Sequence, residues 1–283
     1  MNIGFIGVGM IGEGIAKNLM QAGHELRIIA HNNRQPIERL VGLGAREETD
    51  AASLATAVDA LFLCLPNAET VKQTIDRVKA NLREGCLIID ATTSLPETSA
   101  GLAAGLLTLG IDFIDAPVTG GPPGATAGTL TSMVGGDPKA FERARPLIEC
   151  YSEHVVYFGE TGAGNRAKLV HNFITMGHVA LIVEAMRRCE LTGLDPVQMF
   201  EVLSNGGANS NTLHKMVPSA LSGSYDGHRF SLENATKDVE YIARMSAQIG
   251  EQSPMIEGML KFFHREIAQY PGNIFLSELL KKA

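Results

Sequence analysis

The chain has 283 residues, more than one domain of ~100–200 residues usually holds and enough for two. Hydrophobic residues at 45% against 19% charged supply a large core and exclude a disordered chain. A net charge of -7 with no basic run argues against a nucleic-acid surface and leaves room only for a local basic pocket, suited to a small anion.

In chain order, Asn2–Gly7 reads as a strand and Gly12–Ala22 as a helix. Glu25–Ala30 and Pro36–Leu43 repeat that pair. The runs Ala60–Leu65, Cys86–Asp90, Ile111–Asp115 and Leu130–Val134 continue the series as short strands between polar segments. Such alternation predicts a mostly parallel sheet with helices on both faces. After Gly164 the pattern changes. Leu169, Phe173, Met176, Ala180, Val183 and Met186 recur every three or four residues, which predicts one long helix over Asn165–Leu191. Thr192-Gly193 is its expected stop, and Asp195-Pro196 the cap and first position of the next helix. The remainder reads as helices, with loops at Ser204–Asn211 and Ser222–His228. The expected division is an N-terminal α/β domain over 1–162 and an all-α domain over 163–283.

Cys64, Cys86, Cys150 and Cys189 are scattered, which fits a reducing cytosol better than a disulfide framework. The apolar run at Ala60–Leu65 is far shorter than the ~18 residues a membrane span needs. No basic segment precedes the first strand, so a cytoplasmic chain without a signal peptide and without a membrane partner is expected.

Gly7, Gly9 and Gly12 form GxGxxG with Met10 and Ile11 inside it. The motif follows a predicted strand and opens a predicted helix, the context of a dinucleotide-binding Rossmann domain. Its glycines allow a tight turn and close approach to a pyrophosphate, which the helix N-terminus attracts. After the second strand the chain reads His31-Asn32-Asn33-Arg34, and no Asp or Glu occurs between Glu25 and Glu38. An acid there would bind the ribose of NAD; a neutral loop with Arg34 suits the 2′-phosphate of NADP. NADP(H) is therefore the expected cofactor, with NAD(H) possible, and His31, Asn32 and Arg34 are candidate contacts. Arg34 as a solvated loop charge is the alternative. Leu65 and Pro66, with Thr70 just beyond, and Thr93 in the Asp90–Pro96 stretch follow strand ends where ligands bind in such sheets.

Four blocks carry a resemblance. The first is Gly4–Gly12. The second is Asp115-Ala116-Pro117-Val118-Thr119-Gly120-Gly121 with Gly124-Ala125 and Gly128-Thr129-Leu130. The third is Gly162-Ala163-Gly164 followed by Lys168 and Asn172, and the fourth is Lys237-Asp238. In this order they resemble the β-hydroxyacid dehydrogenase family, which includes 3-hydroxyisobutyrate dehydrogenase and tartronate semialdehyde reductase. The resemblance implies an α/β Rossmann N-terminal domain joined by a long helix to an all-α C-terminal domain. It implies interconversion of a small 3-hydroxy acid and its semialdehyde. Lys168 would be the catalytic residue and Asn172 would bind substrate near the reacting oxygen. Thr119, Gly120 and Gly121 would hold the carboxylate, and Thr93 and Lys237 would line the cofactor site. Family members usually carry Ser where this chain has Thr119, so the pocket is expected to be tighter.

The residues agree with that assignment. Lys168 and Asn172 are four apart on a predicted helix and share a face. A lysine ammonium can stabilise an alkoxide and protonate it, and the neutral amine can take the proton back. His171 and His178 lie seven apart on the same helix. Without a nearby carboxylate they are too few for a metal, and packing or interface roles are expected. Imine reduction and non-catalytic dinucleotide binding are the competing functions; the lysine argues against both. A homodimer or homotetramer is expected from the apolar helical half.

Overall fold

A computed structural model describes residues 1–31 and 33–281. Contacts divide the chain into two compact units, Met1–Lys168 and Leu169–Ala283.

The first unit alternates strands and helices: β1 (Asn2–Ile6), α1 (Gly12–Gln21), β2 (Glu25–Ile29), α2 (Gln35–Gly42), β3 (Arg46–Glu48), α3 (Ala51–Thr56), β4 (Ala60–Leu63), α4 (Ala68–Val78), β5 (Leu87–Asp90), α5 (Pro96–Leu107) and β6 (Asp112–Asp115). β7 (Val118–Thr119), α6 (Gly121–Ala127), β8 (Leu130–Gly135), α7 (Pro138–Ile148) and β9 (Ser152–Gly159) complete it before α8 (Ala163–Leu191) begins. The sheet order is β3-β2-β1-β4-β5-β6-β8-β7, with β9 on β8. β3 through β6 are parallel, while β8 runs antiparallel to β6 and β7. The order reverses between β1 and β4, which places a crevice for ligands at the carboxyl ends of those strands.

A parallel sheet buried on both faces needs apolar residues at every position of its central strands. β4 shows this in four residues. Ala60 and Phe62 join Ile15, Leu19, Ile37 and Phe141 in one core; Leu61 and Leu63 join Leu54, Val71, Ile75 and Leu106 in the other. Phe62 is fully buried, stacked on Phe5 with ring centroids 5.8 Å apart and edge-on to Tyr151 at 6.1 Å.

The second unit is helical: the rest of α8, then α9 (Pro196–Asn205), α10 (Asn211–Leu221), α11 (Leu232–Gln248), α12 (Pro254–Gln269) and a 3₁₀ turn at Leu276–Leu280. Met176, Val179 and Val183 of α8 pack with Val239, Phe262 and Phe263 around its core. Gly193, with φ 75°, stops α8, and the Asp195 side chain accepts from the N–H groups of Val197 and Gln198 ahead of Pro196. Ser210, Ser231 and Ser253 cap the following three helices in the same way. Arg187 donates to both oxygens of the fully buried Glu266 at 2.8 and 2.7 Å.

Three features depart from the sequence reading. The long helix starts at Ala163 rather than Asn165, because Asp115 caps it from the sheet (below). β3 reads Arg-Glu-Glu, an edge strand with no apolar residue to reveal it. β9 exposes Val156 and Phe158 on one face while Val155 and Tyr157 are half-buried on the other, so its apolar run over 155–158 shows no polar alternation in sequence. Among the described residues α8 alone is long and apolar enough to cross a membrane by length and composition. The same apolarity supplies Met176, Val179 and Val183 to the second core, while Val170, Ile174 and Leu181 lie exposed.

Phe62→Ala should destabilise the first unit by ~3–5 kcal/mol through lost transfer energy and an unfilled cavity. Urea unfolding followed by far-UV circular dichroism measures it; a midpoint within error of wild type would contradict this account of the core.

Candidate active site

The turn between β1 and α1 uses each motif glycine differently. Gly7 adopts φ 104°, and a Cβ there would collide with the Cys64 carbonyl. A Cβ at Gly12 would strike the Gly7 carbonyl oxygen, so this position sets how closely α1 meets β1. Gly9 is unlike both: a Cβ added to it meets nothing within 4 Å. No neighbour in the chain explains a glycine there, whereas close approach of a pyrophosphate to the backbone does. Met10 beside it is 54% exposed, and Ile11 is half-buried at the N-terminus of α1, whose dipole favours an anion. These residues fit the diphosphate of a nicotinamide dinucleotide.

The loop after β2 carries no acid of its own, as read from the sequence, but β3 brings one beside it. β3 lies beside β2 with Glu47 opposite Ile28, and Glu47 reaches Arg34. The Arg34 guanidinium donates to both Glu47 oxygens at 3.0 Å each, and Glu38 lies 3.8 Å from its Nε. A carboxylate therefore stands at this corner after all, 13 residues downstream in sequence. His31 is exposed at the same end of β2; Asn32 lies outside the described residues.

Beyond β4 and β5 the loops lock together. The Leu65 N–H donates to Thr92 Oγ1 at 2.9 Å, and the Thr92 N–H donates to Asp90 Oδ1 at 3.0 Å. Pro66 is exposed and Thr93 half-buried along this edge. Thr70 is committed elsewhere: its N–H and hydroxyl both donate to Asn67 Oδ1, at 2.8 and 2.9 Å, as part of the α4 cap. At the end of β7, Thr119 leads into Gly120 (φ 128°) and Gly121 (φ 71°), which open α6. A Cβ on Gly120 would come within 2.8 Å of the Leu130 side chain, so the turn needs its glycines.

Lys168 sits in the second turn of α8 and is only 8% exposed, far from the solvated position usual for lysine. The turn before it is anchored to the sheet. Asp115 Oδ1 accepts from the Gly162 N–H and Oδ2 from the Asn165 N–H, both at 2.7 Å. Burial pushes the Asp115 carboxyl up to about 6, against the pull of those two donors. Asn165, also buried, accepts from the Ser94 N–H at 2.8 Å and donates to Ser99 Oγ at 3.2 Å. The roles of Asp115 and Asn165 depend on contacts fifty positions apart; the only local signal is an Asp closing a strand ahead of a long helix.

In the second unit Asn172 is 3% exposed and donates to Asp238 Oδ2 at 2.6 Å. His171 Nδ1 lies 2.9 Å from Asn172 Oδ1. Lys237 places Nζ 3.2 Å from Asp238 Oδ1 and 5.3 Å from the Tyr241 ring centroid, a cation–π distance. Asp238, fully buried on α11, thus gathers Asn172 and Lys237, a role the sequence did not disclose. Among the described residues no group of three His, Cys, Asp or Glu could hold a metal ion.

A dinucleotide-binding sheet with a buried lysine at the head of a long helix defines a nicotinamide-dependent oxidoreductase. Residues 2–159 match the model for the NAD binding domain of 6-phosphogluconate dehydrogenase. Residues 162–281 match that for the NAD-binding region of NADP-dependent 3-hydroxyisobutyrate dehydrogenase. The chain is 30% identical to 2-(hydroxymethyl)glutarate dehydrogenase of Eubacterium barkeri, over 99% of this chain and 94% of that one. It is 34% identical to 2-hydroxy-3-oxopropionate reductase of Escherichia coli, over 75% and 73%. The crystal structure of a 3-hydroxyisobutyrate dehydrogenase from Salmonella typhimurium superposes with a TM-score of 0.91 at 26% identity, covering 99% of each chain. An imine reductase from a Pseudomonas species shares the fold alone, at 16% identity and a TM-score of 0.66. The chain belongs to the β-hydroxyacid dehydrogenase family. It is a NAD(P)-dependent oxidoreductase acting on the hydroxyl group of a hydroxy acid.

The glycine geometry separates two variants. Gly9→Ala should leave thermal stability unchanged and weaken cofactor binding ~10-fold, equivalent to ~1.4 kcal/mol. Gly12→Ala should lower Tm, because it must push α1 from β1. Differential scanning fluorimetry with cofactor titration tests the pair; equal loss of Tm in both would remove the case for Gly9 as a ligand contact.

Proposed function

We propose that this enzyme interconverts a short-chain 3-hydroxy acid and its semialdehyde, with Lys168 as general acid and base and NADP(H) as preferred cofactor. The observation that carries the reading is the burial of Lys168 on the first turns of α8, which Asp115 anchors to the carboxyl end of β6, the end of the sheet from which the dinucleotide loop also leaves. The relatives act on substrates of this class: 2-(hydroxymethyl)glutarate carries its alcohol one carbon from the carboxylated centre, and 2-hydroxy-3-oxopropionate is a semialdehyde.

When bound, the nicotinamide supplies or removes the hydride. The residues of this chain manage charge and proton. In reduction the Lys168 ammonium donates a hydrogen bond to the carbonyl oxygen and protonates the alkoxide as it forms. In oxidation the neutral amine accepts the proton of the substrate hydroxyl. Asn172 binds the same oxygen through the amide hydrogen that Asp238 does not use, since each side-chain amide carries two. The Thr119 hydroxyl and the backbone N–H groups of Gly120 and Gly121 receive the carboxylate, and Lys237 and Thr93 contact the cofactor. The added methyl of Thr119 favours a small acid.

Cofactor choice turns on Arg34. Glu47 holds the guanidinium in place but does not exhaust its five N–H donors, so a 2′-phosphate can still be bound. The description of the matched C-terminal family supports NADP.

Lys168→Ala should reduce kcat by roughly 10²–10⁴-fold while cofactor affinity stays near wild type. NADPH absorbance with a panel of semialdehydes and imines measures it. Retention of most activity, or turnover of imines alone, would reverse the assignment.

Arg34→Ala should raise the Michaelis constant for NADPH by about one to two decades and hardly change that for NADH. Both constants, measured for wild type and variant, decide it. Equal effects, or a wild type preferring NADH, would show that Glu47 withholds Arg34 from the cofactor.

A further inference from the structure

Three lengths of the first unit meet at one buried carboxyl. Asp115 ends β6, four residues before Thr119; Gly135 ends β8; Gly162 to Asn165 form the entry to α8. The meeting is too close for side chains. A Cβ on Gly135 would lie 2.7 Å from Asp115 Oδ1 and from the Gly164 nitrogen, and one on Gly164 would lie 2.6 Å from the Asp115 carbonyl oxygen. On its other side Gly162, at φ 93°, is pressed against the Pro96 carbonyl, 2.8 Å from where a Cβ would be.

We propose that Asp115 is a positioning residue for the reaction, its carboxylate clamping the first turn of α8 so that Lys168 is held in register with the Thr93–Ser94 loop through Asn165. The inference rests on the proton-transfer role of Lys168 given above.

The geometry makes the clamp specific. Each carboxylate oxygen takes one backbone donor, at 2.7 Å, from opposite ends of the entry segment. Two of the N–H groups that a helix start leaves unsatisfied are thereby tied to the sheet, not to a residue of the helix's own cap. The first turn can then neither slide nor rotate. Asn165 in that turn spends its side chain on the loop after β5 and the helix that follows it, accepting from Ser94 of the loop and donating to Ser99 in the first turn of α5. One carboxylate therefore couples the lysine to the loop that carries Thr93. A displacement of about 1 Å in such a group costs on the order of 10²-fold in rate.

A buried carboxyl is an expensive way to fix a helix. Desolvation raises its proton affinity despite two short donors and the charge of Arg166 one turn along. A neutral side chain would avoid that cost, but none of the same size presents two acceptors: an Asn amide turns its NH₂ towards one of the two backbone donors.

Asp115→Asn tests the proposal, with Lys168→Ala as reference. The expected result is a kcat lower by ~10–100-fold, NADPH dissociation constant within about twofold of wild type, and an increased solvent deuterium isotope effect on kcat, because proton transfer by a misplaced lysine becomes slower. Asn165→Ala, which leaves both backbone donors on Asp115 and removes only the ties to Ser94 and Ser99, should give the same signature at smaller size. Wild-type kinetics from Asn165→Ala, whether or not Asp115→Asn folds, would overturn the proposal. So would a rate loss in Asp115→Asn with an unchanged isotope effect, which marks simple destabilisation. If Lys168→Ala itself retains activity, the reading of Lys168 fails first; if Lys168→Ala is inactive while both other variants behave as wild type, only the clamp is wrong.

Discussion

Every ligand-facing loop of the first unit hangs from the carboxyl ends of one parallel run of strands. β1, β4, β5 and β6 are in register, so Ile6, Leu63, Asp90 and Asp115 end at one level. The glycine turn, the Cys64–Pro66 loop, the Ala91–Ser94 loop and the approach to Thr119 leave from that level. Parallel pairing imposes this: each strand must be followed by a crossover, so all exits face the same way. Backbone pairing, not any one side chain, brings residues 7, 65, 93 and 115 to one edge from separations of dozens of positions in sequence. The fully apolar interior of β4 is what keeps the level fixed, because a register slip would drive Leu61 or Phe62 into the wrong core.

Much of this was legible in the sequence. The glycine spacing predicted the first turn, and the structure gives Gly7 and Gly12 separate steric reasons while leaving Gly9 open. Asp195-Pro196 predicted a cap that forms as expected, because the donors and the acceptor are local. The 3.6-residue period predicted α8 to within two residues at its start. What failed was what depends on distant partners. β3 carries no apolar pattern, so nothing announced that Glu47 would stand beside β2 and take Arg34. The loop without an acid of its own stands beside a carboxylate through a pairing that only the sheet creates. Asn165 and Asp115 are fifty positions apart, and no local rule joins them.

The Arg34 pair shows why exposed charges deserve a different weight from buried ones. Its guanidinium is 55% exposed and faces Glu47 at 32%, so the pair adds little to stability in water. Its effect is geometric: it restricts a flexible side chain to one region beside the end of β2. That restriction lowers the entropy lost when an anion binds and also opposes it with a carboxylate. If the 2′-phosphate binds at this corner as proposed, the balance between those two terms, not the presence of arginine alone, governs its affinity there.

Buried carboxylates carry the opposite logic, and each unit has one behind its proposed reacting group. Asp115 holds the turn that leads to Lys168, and Asp238 holds Asn172. Neither is a good stabilising element in itself, since removing a charge from water costs more than most pairs return. Each stands where a hydrogen-bond acceptor is fixed in direction on a rigid, buried element. Asp238 takes a side-chain amide and leaves Asn172 one amide hydrogen to offer; Asp115 takes two backbone amides and leaves the helix no freedom at its first turn. Of the two groups proposed to meet the substrate oxygen, Asn172 is held directly by Asp238, and Lys168 stands three residues along α8 from Asn165, whose N–H Asp115 accepts. Orientation of this kind is what a lysine acid needs, because its long side chain otherwise spreads over many rotamers and its proton would be delivered anywhere but along the forming alkoxide.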